Sequence, residues 1–174
     1  MNSSIEISNS IQLLFREKGR KEQLISHINE RKENFDAFLS FSLLSDEPLA
    51  WRAAWVLRSC INKNDQRISE RAIEITKAIA GKEDGHQREL IKNLEHIKLE
   101  ESYEGYLFDA CMNIWEDLSK IPSTRITAFK AMNRIAKKYP ELKQDLILLT
   151  EDHYTESLTS GIAATLKKEI KKLV

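Results

Sequence analysis

Apolar residues recur at three- and four-residue spacing along almost the whole chain, and this spacing constrains the fold more than any other feature. Such a pattern places apolar side chains on one face of an α-helix. No stretch of alternating apolar and polar residues is long enough to predict a β-strand. The 174 residues include only 5 glycines and 3 prolines, too few for the turns of an all-β protein. Two of the helical stripes are Ile68, Ala72, Ile75 and Ile79, and Leu158, Ile162, Leu166 and Ile170.

The breaks between these stripes are short. Gly81 and Gly85 interrupt the pattern, while Pro122 and Pro140 suit the first turns of new helices. We therefore predict roughly nine or ten helices of about 10–18 residues, joined by short links. Short links make neighbouring helices antiparallel, and several helices have apolar faces too wide for one partner. The predicted fold is all-α, a superhelix of stacked helix pairs that forms a single domain over residues 1–174.

The segment DEPLAWRAAWVLRSC, from Asp46 to Cys60, carries two tryptophans four residues apart. On a helical wheel, apolar residues surround almost the whole segment, with Trp51 and Trp55 on one flank. We therefore expect this helix to lie between neighbours on several sides, with both tryptophans filling the gap to the next repeat. Asp46 precedes Arg52 by six residues and is its expected partner. Ser45 or Asp46 is expected to cap the helix.

The spacing of Asp46 and Arg52 resembles that of a HEAT repeat. In that family a link aspartate precedes, by six residues, an arginine that opens the second helix, and the two form a ladder along the inner face. A second partial match, STRITAFKAM, keeps Arg125 but has Ser119 at the aspartate position. With WRAAWVL, this segment is similar to a group of small HEAT-like bacterial proteins over about Phe35 to Leu149. The resemblance implies a right-handed α-α superhelix of the HEAT/armadillo type.

Five residues are candidates for an interaction site or for the repeat ladder: Asp46, Trp51, Arg52, Trp55 and Arg125. An arginine beside two indole rings can hold an anion or stack on a nucleobase. Packing between repeats is the simpler interpretation, because the neighbouring wheel positions are apolar.

Charge and cysteine content indicate the setting in which the chain works. The formal net charge is zero, with 27 basic and 27 acidic residues. A nucleic-acid-binding domain usually has a basic excess, so a nucleic-acid partner is disfavoured. Cys60 and Cys111 lie among apolar neighbours, as expected for small core residues in a reducing compartment. With no signal-peptide pattern and no long apolar run, we expect a cytoplasmic protein without membrane contact. The sequence leaves the oligomeric state open, with a monomer slightly favoured.

No group of residues predicts catalysis or metal binding. The four histidines do not have the spacing of a metal site, and most are expected at the surface: His27, His86, His96 and His153. Adjacent acids such as Glu100 and Glu101 point to different sides of a helix and make no acid–base pair. We therefore predict no catalytic residue, no metal ligand and no cofactor.

The function predicted from these features is a non-catalytic binding or scaffold module, which recognises a protein or peptide with its helical-repeat surface. The alternative is a DNA-binding protein or a repair enzyme of the alkyl-base glycosylase type. HEAT-like glycosylases use aromatic residues and an acid on a concave face, so that alternative would involve Trp51, Trp55 and a nearby acid.

Overall fold

The computed structural model describes residues 2–17 and 19–173, with side chains from residue 8 onward, and within them the protein is helical without strands. This confirms the all-α prediction. The twelve helices of these residues are α1 (Asn2–Glu17), α2 (Lys21–Glu30), α3 (Lys32–Ser42), α4 (Ala50–Leu57), α5 (Gln66–Ser69), α6 (Ala72–Ile79), α7 (Asp84–Asn93), α8 (Glu101–Glu116), α9 (Pro122–Ala136), α10 (Leu142–Leu148), α11 (Asp152–Thr155) and α12 (Ser160–Ile170).

The helices form two compact units, an N-terminal unit of residues 1–98 and a C-terminal unit of residues 99–174. The first contains α1–α7, and the second contains α8–α12. The prediction of one domain over residues 1–174 stays a prediction.

Helix pairs build the N-terminal unit. Helix α3 packs on α4, α6 packs on α7, and α4 lies beside α7. Three contacts join α4 and α7, with the segments that follow them, in the same order along both. Asn93 Nδ2 donates to Ala54 O, Arg58 forms an ion pair with Glu95, and Asn64 N donates to the His96 carbonyl. Helices α4 and α7 therefore run roughly parallel and form one layer, as equivalent helices of successive repeats do. Helix α2 contacts both α3 and α4.

In the C-terminal unit, α8 packs along α9, and α10 and α12 also contact α9. Trp115 is fully buried at the end of α8, and its ring centroid lies 4.8 Å from that of Phe129. The Trp115 indole donates to the carbonyl of Leu149 at 2.8 Å. Asn133 of α9 donates to the carbonyl of Glu169 in α12. Asn93 of α7 makes the same kind of bond to the carbonyl of Ala54 in α4.

Two of the differences between predicted and observed helix boundaries have a clear local cause. The stripe from Ile68 to Ile79 is divided between α5 and α6, because the chain leaves the helical conformation at Arg71. Gly85 was expected to break a helix but lies in the first turn of α7. A glycine is well tolerated there, and the break comes from Gly81, whose φ is +74°. The short α5 and α11, of four residues each, account for the larger helix number.

Candidate interaction surface on helix α4

The link before α4 is fixed by Glu47 rather than by a capping side chain. The N-cap position is Leu49, without a side-chain hydrogen bond, so the expected cap by Ser45 or Asp46 is wrong. The Glu47 carboxylate instead accepts from Ser8 Oγ and from Gln12 Nε2, both at 2.8 Å. These two bonds attach α1 to the start of α4.

Helix α4 has one fully buried face and one face that solvent reaches. Its buried residues are Ala50, Ala53, Ala54, Val56 and Leu57. On the other side Trp51 is 46% exposed, Arg58 is exposed, and Arg52 and Trp55 are half-buried. We call these four residues the tryptophan face. The prediction that this helix is enclosed on several sides, with both tryptophans filling a gap between repeats, is wrong for Trp51.

Arg52 binds the chain just after helix α1. Its Nη2 donates to the carbonyl of Gly19 at 3.2 Å, and its guanidinium lies 5.3 Å from the ring centroid of Phe15. The expected pairing with Asp46 is therefore replaced by a main-chain contact. Asp46 instead lies near Lys82. Burial lowers the pKa of Lys82, and the negative charge of Asp46 partly opposes this shift.

Trp55 is covered on one side by a cation. The Lys21 Nζ lies 4.3 Å from the centroid of the Trp55 ring, within cation–π range. Lys21 is the first residue of α2, so the start of α2 lies against the tryptophan face. The face is thus made of two indoles with basic groups beside them.

Arg125, in the C-terminal unit, is fully buried. Its Nε donates to the carbonyl of Trp115 at 2.9 Å, and its Nη atoms donate to Tyr154 O and Ser157 Oγ. Its guanidinium also lies 4.8 Å from the Trp115 ring. Burial lowers the pKa of this guanidinium. Arg125 is therefore a structural residue of α9 that binds α8, α11 and the segment just after α11.

A close aspartate–arginine pair of the N-terminal unit, Asp65 with Arg67, was not predicted from the sequence. Arg67 Nε and Nη2 donate to the two carboxylate oxygens of Asp65 at 2.9 and 2.7 Å. Arg67 also donates to the carbonyl of Cys60 and lies 3.6 Å from the Phe35 ring centroid. Asp65 precedes Arg67 by two residues and is the N-cap of α5. An aspartate just before a helical segment is a common N-cap, so the sequence did contain a signal for the position of Asp65. Like Arg52 and Arg125, Arg67 combines a main-chain carbonyl with an aromatic ring.

His86 is buried, contrary to the expectation of a surface histidine. Its Nε2 lies 2.7 Å from the carbonyl of Ser42, and Lys82 Nζ donates to the carbonyl of Leu43 at 2.8 Å. Both side chains thus cap the C-terminal end of α3. Burial, together with the nearby Lys82 charge, lowers the pKa of His86. A neutral imidazole that donates to this carbonyl is a structural group rather than a catalytic one.

The two cysteines are buried and unpaired, as predicted. Burial raises the pKa of the Cys60 thiol to about 11 and that of Cys111 to about 12. Thiols of this kind hold their protons at neutral pH and are poor nucleophiles. In the part of the chain that the structure describes, no group of three or more His, Cys, Asp or Glu side chains is arranged to hold a metal ion. None of the helices in the same part combines the length and apolar character needed to cross a membrane.

Comparison with known proteins agrees with the helix-pair architecture. The model of the HEAT repeat domain matches residues 14–173 of the chain. No curated protein and no solved structure matches the sequence. The match covers helices of both units, from the last turn of α1 to the end of α12. The chain belongs to the HEAT repeat domain family.

Proposed function

We propose that the protein is a non-catalytic binding module that recognises a protein or peptide segment with the tryptophan face of α4. The observation that carries this proposal is the 46% exposure of Trp51 on a helix whose opposite face is fully buried. Burying the Trp51 indole against a partner would remove a large apolar area from water.

The composition of the tryptophan face supports recognition of another protein. Tryptophan and arginine are the residues that most often dominate the binding energy of protein interfaces. Members of the HEAT repeat family commonly mediate protein interactions, and the parallel α4 and α7 supply a continuous layer on which a segment can lie. The ion pair between Arg58 and Glu95 joins these two helices at the exposed side of the layer.

A photo-crosslinking experiment tests the proposal. A benzophenone amino acid placed at position 51 is expected to form a defined adduct in extract of the cells that make the protein. The same group at position 77, exposed on α6, serves as the matched control, because α6 lies outside the layer of α4 and α7. Equal adduct patterns at positions 51 and 77, or no adduct at either, would contradict the proposal.

The alternative function, DNA recognition, predicts a different result. Phosphate attraction is strongest at low salt, so a DNA-binding protein must bind a labelled duplex under that condition. We expect no binding to normal or alkylated duplex, because the chain has no net positive charge. Fluorescence anisotropy measures this directly. Salt-sensitive binding that is lost in Trp51→Ala would favour the DNA alternative.

The wider setting is part of the same proposal. We place residues 1–174 in one domain of a monomeric cytoplasmic protein. The HEAT repeat match crosses the boundary between the two units, which supports a single domain. The buried, unpaired cysteines suit a reducing compartment.

A further inference from the structure

We infer that the segment recognised by the tryptophan face is acidic, with aspartate or glutamate side chains beside an apolar residue. This inference rests on the proposed function and names the chemistry of its partner. It follows from the charges around the two indoles and from the places where the neighbouring acids are bound.

Lys21 is a cation without an acidic partner among the side chains that the structure describes. Its ammonium lies over the Trp55 ring, and it forms no ion pair with the side chains that the structure describes, those of residues 8–17 and 19–173. A half-buried ammonium on an aromatic face keeps donors available on the side away from the ring. A carboxylate that approaches the Trp55 ring would therefore meet this charge first.

Arg58 supplies a second cation at the other end of the tryptophan face. Its Nη2 lies 3.5 Å from Glu95 Oε2, and both side chains are about half exposed. Exposed pairs of this kind contribute little to stability, about 0–1 kcal/mol, and exchange partners readily. Arg58 can therefore turn to a carboxylate of a bound segment. It follows Trp55 by three residues, or about 4.5 Å along the helix axis.

The acids at the start of α4 do not compete for these cations. Glu47 is held by Ser8 and Gln12 of α1, and the charge of Asp46 acts on Lys82. The tryptophan face consequently presents apolar rings beside two cations: Lys21, which has no ion pair with the described side chains, and Arg58, whose pair with Glu95 is exposed to solvent. Complementarity favours an acidic segment, because opposite charges speed association and like charges exclude wrong partners.

Selection from a random peptide display library tests this inference on the full chain. Peptides are selected on the wild-type protein and depleted on Trp51→Ala, so that only binders of the tryptophan face remain. We expect these peptides to be enriched in aspartate and glutamate and to bind more weakly as the salt concentration rises. Enriched peptides without acidic residues would overturn the inference and leave the proposed function standing. The absence of any Trp51-dependent peptide would overturn both.

Charge reversal provides the second arm. The double variant Lys21→Glu, Arg58→Glu is expected to bind a selected acidic peptide at least about tenfold more weakly, as measured by calorimetry. Lys77→Glu in α6 is the matched control and should leave the affinity unchanged. Selection repeated on the double variant should enrich lysine and arginine instead. Unchanged affinity in the double variant would contradict the acidic-partner inference, even if Trp51→Ala abolishes binding.

Discussion

Replacing Arg125 by alanine is expected to lower the free energy of unfolding of the C-terminal unit by about 3–5 kcal/mol. The substitution removes three hydrogen bonds, leaves the buried carbonyl of Trp115 and that of the half-buried Tyr154 without their donor, and opens a cavity beside the Trp115 ring. Urea unfolding measures the change. In a Trp51→Phe, Trp55→Phe background, Trp115 is the only tryptophan and its fluorescence reports on this unit.

Two further variants separate the geometry of Arg125 from its charge. Arg125→Lys keeps the charge but cannot reach Trp115 O and Tyr154 O together, so it should recover less than half of the lost stability. Lys130→Ala, at an exposed position of the same helix, should change stability by less than about 0.5 kcal/mol. A loss below about 1 kcal/mol in Arg125→Ala would show that the buried guanidinium is not a main support of the unit.

Replacing Asp65 by alanine is expected to lower the free energy of unfolding of the N-terminal unit by about 2–4 kcal/mol. The Asp65 carboxylate binds Arg67 through two hydrogen bonds, caps α5 at the Arg67 amide, and accepts from the Asn62 amide. Without it, the guanidinium that lies on the Phe35 ring loses its counter-charge. Urea unfolding followed by circular dichroism measures the loss.

The same carboxylate makes stability depend on pH. The hydrogen bond from Arg67 holds the pKa of Asp65 below its ordinary value of 3.8. The folded state therefore prefers the ionised form, and this contribution is complete above about pH 5 and is lost as the pH falls through the folded-state pKa. The stability difference between wild type and Asp65→Asn should shrink between pH 6 and pH 3. A difference between wild type and Asp65→Asn that stays constant over this pH range would argue against the linkage.

The spacing of apolar residues predicted the helices well. Each helix needs an apolar face, and residues four apart, such as Ile75 and Ile79, lie on the same face. It did not predict that Trp51 faces solvent. A wheel shows which residues share a face, but an indole is apolar whether it packs on a neighbouring helix or awaits a partner. The exposure of Trp51 depends on where α2 and α7 lie, which is a matter of tertiary packing.

The partners of the arginines were hidden for a different reason. The spacing of Asp46 and Arg52 suggested a pair of side chains, whereas Arg52 donates to a main-chain carbonyl of Gly19. Every residue has a main-chain carbonyl, so the identity of a residue does not indicate whether its carbonyl accepts a hydrogen bond from a distant side chain. The Asp65–Arg67 pair was more visible, since an aspartate before a short helix is a common cap.

Main-chain acceptors leave repeats free to diverge during evolution. Arg52, Arg67 and Arg125 each bind a backbone carbonyl of an earlier segment, and Asn93 and Asn133 bind carbonyls of a neighbouring helix. A contact of this kind survives almost any substitution at the accepting position, because the peptide group is unchanged. Each repeat can therefore drift without a compensating mutation in its neighbour. Shared ancestry among the helix pairs would then persist in three dimensions long after it has faded from the amino-acid sequence.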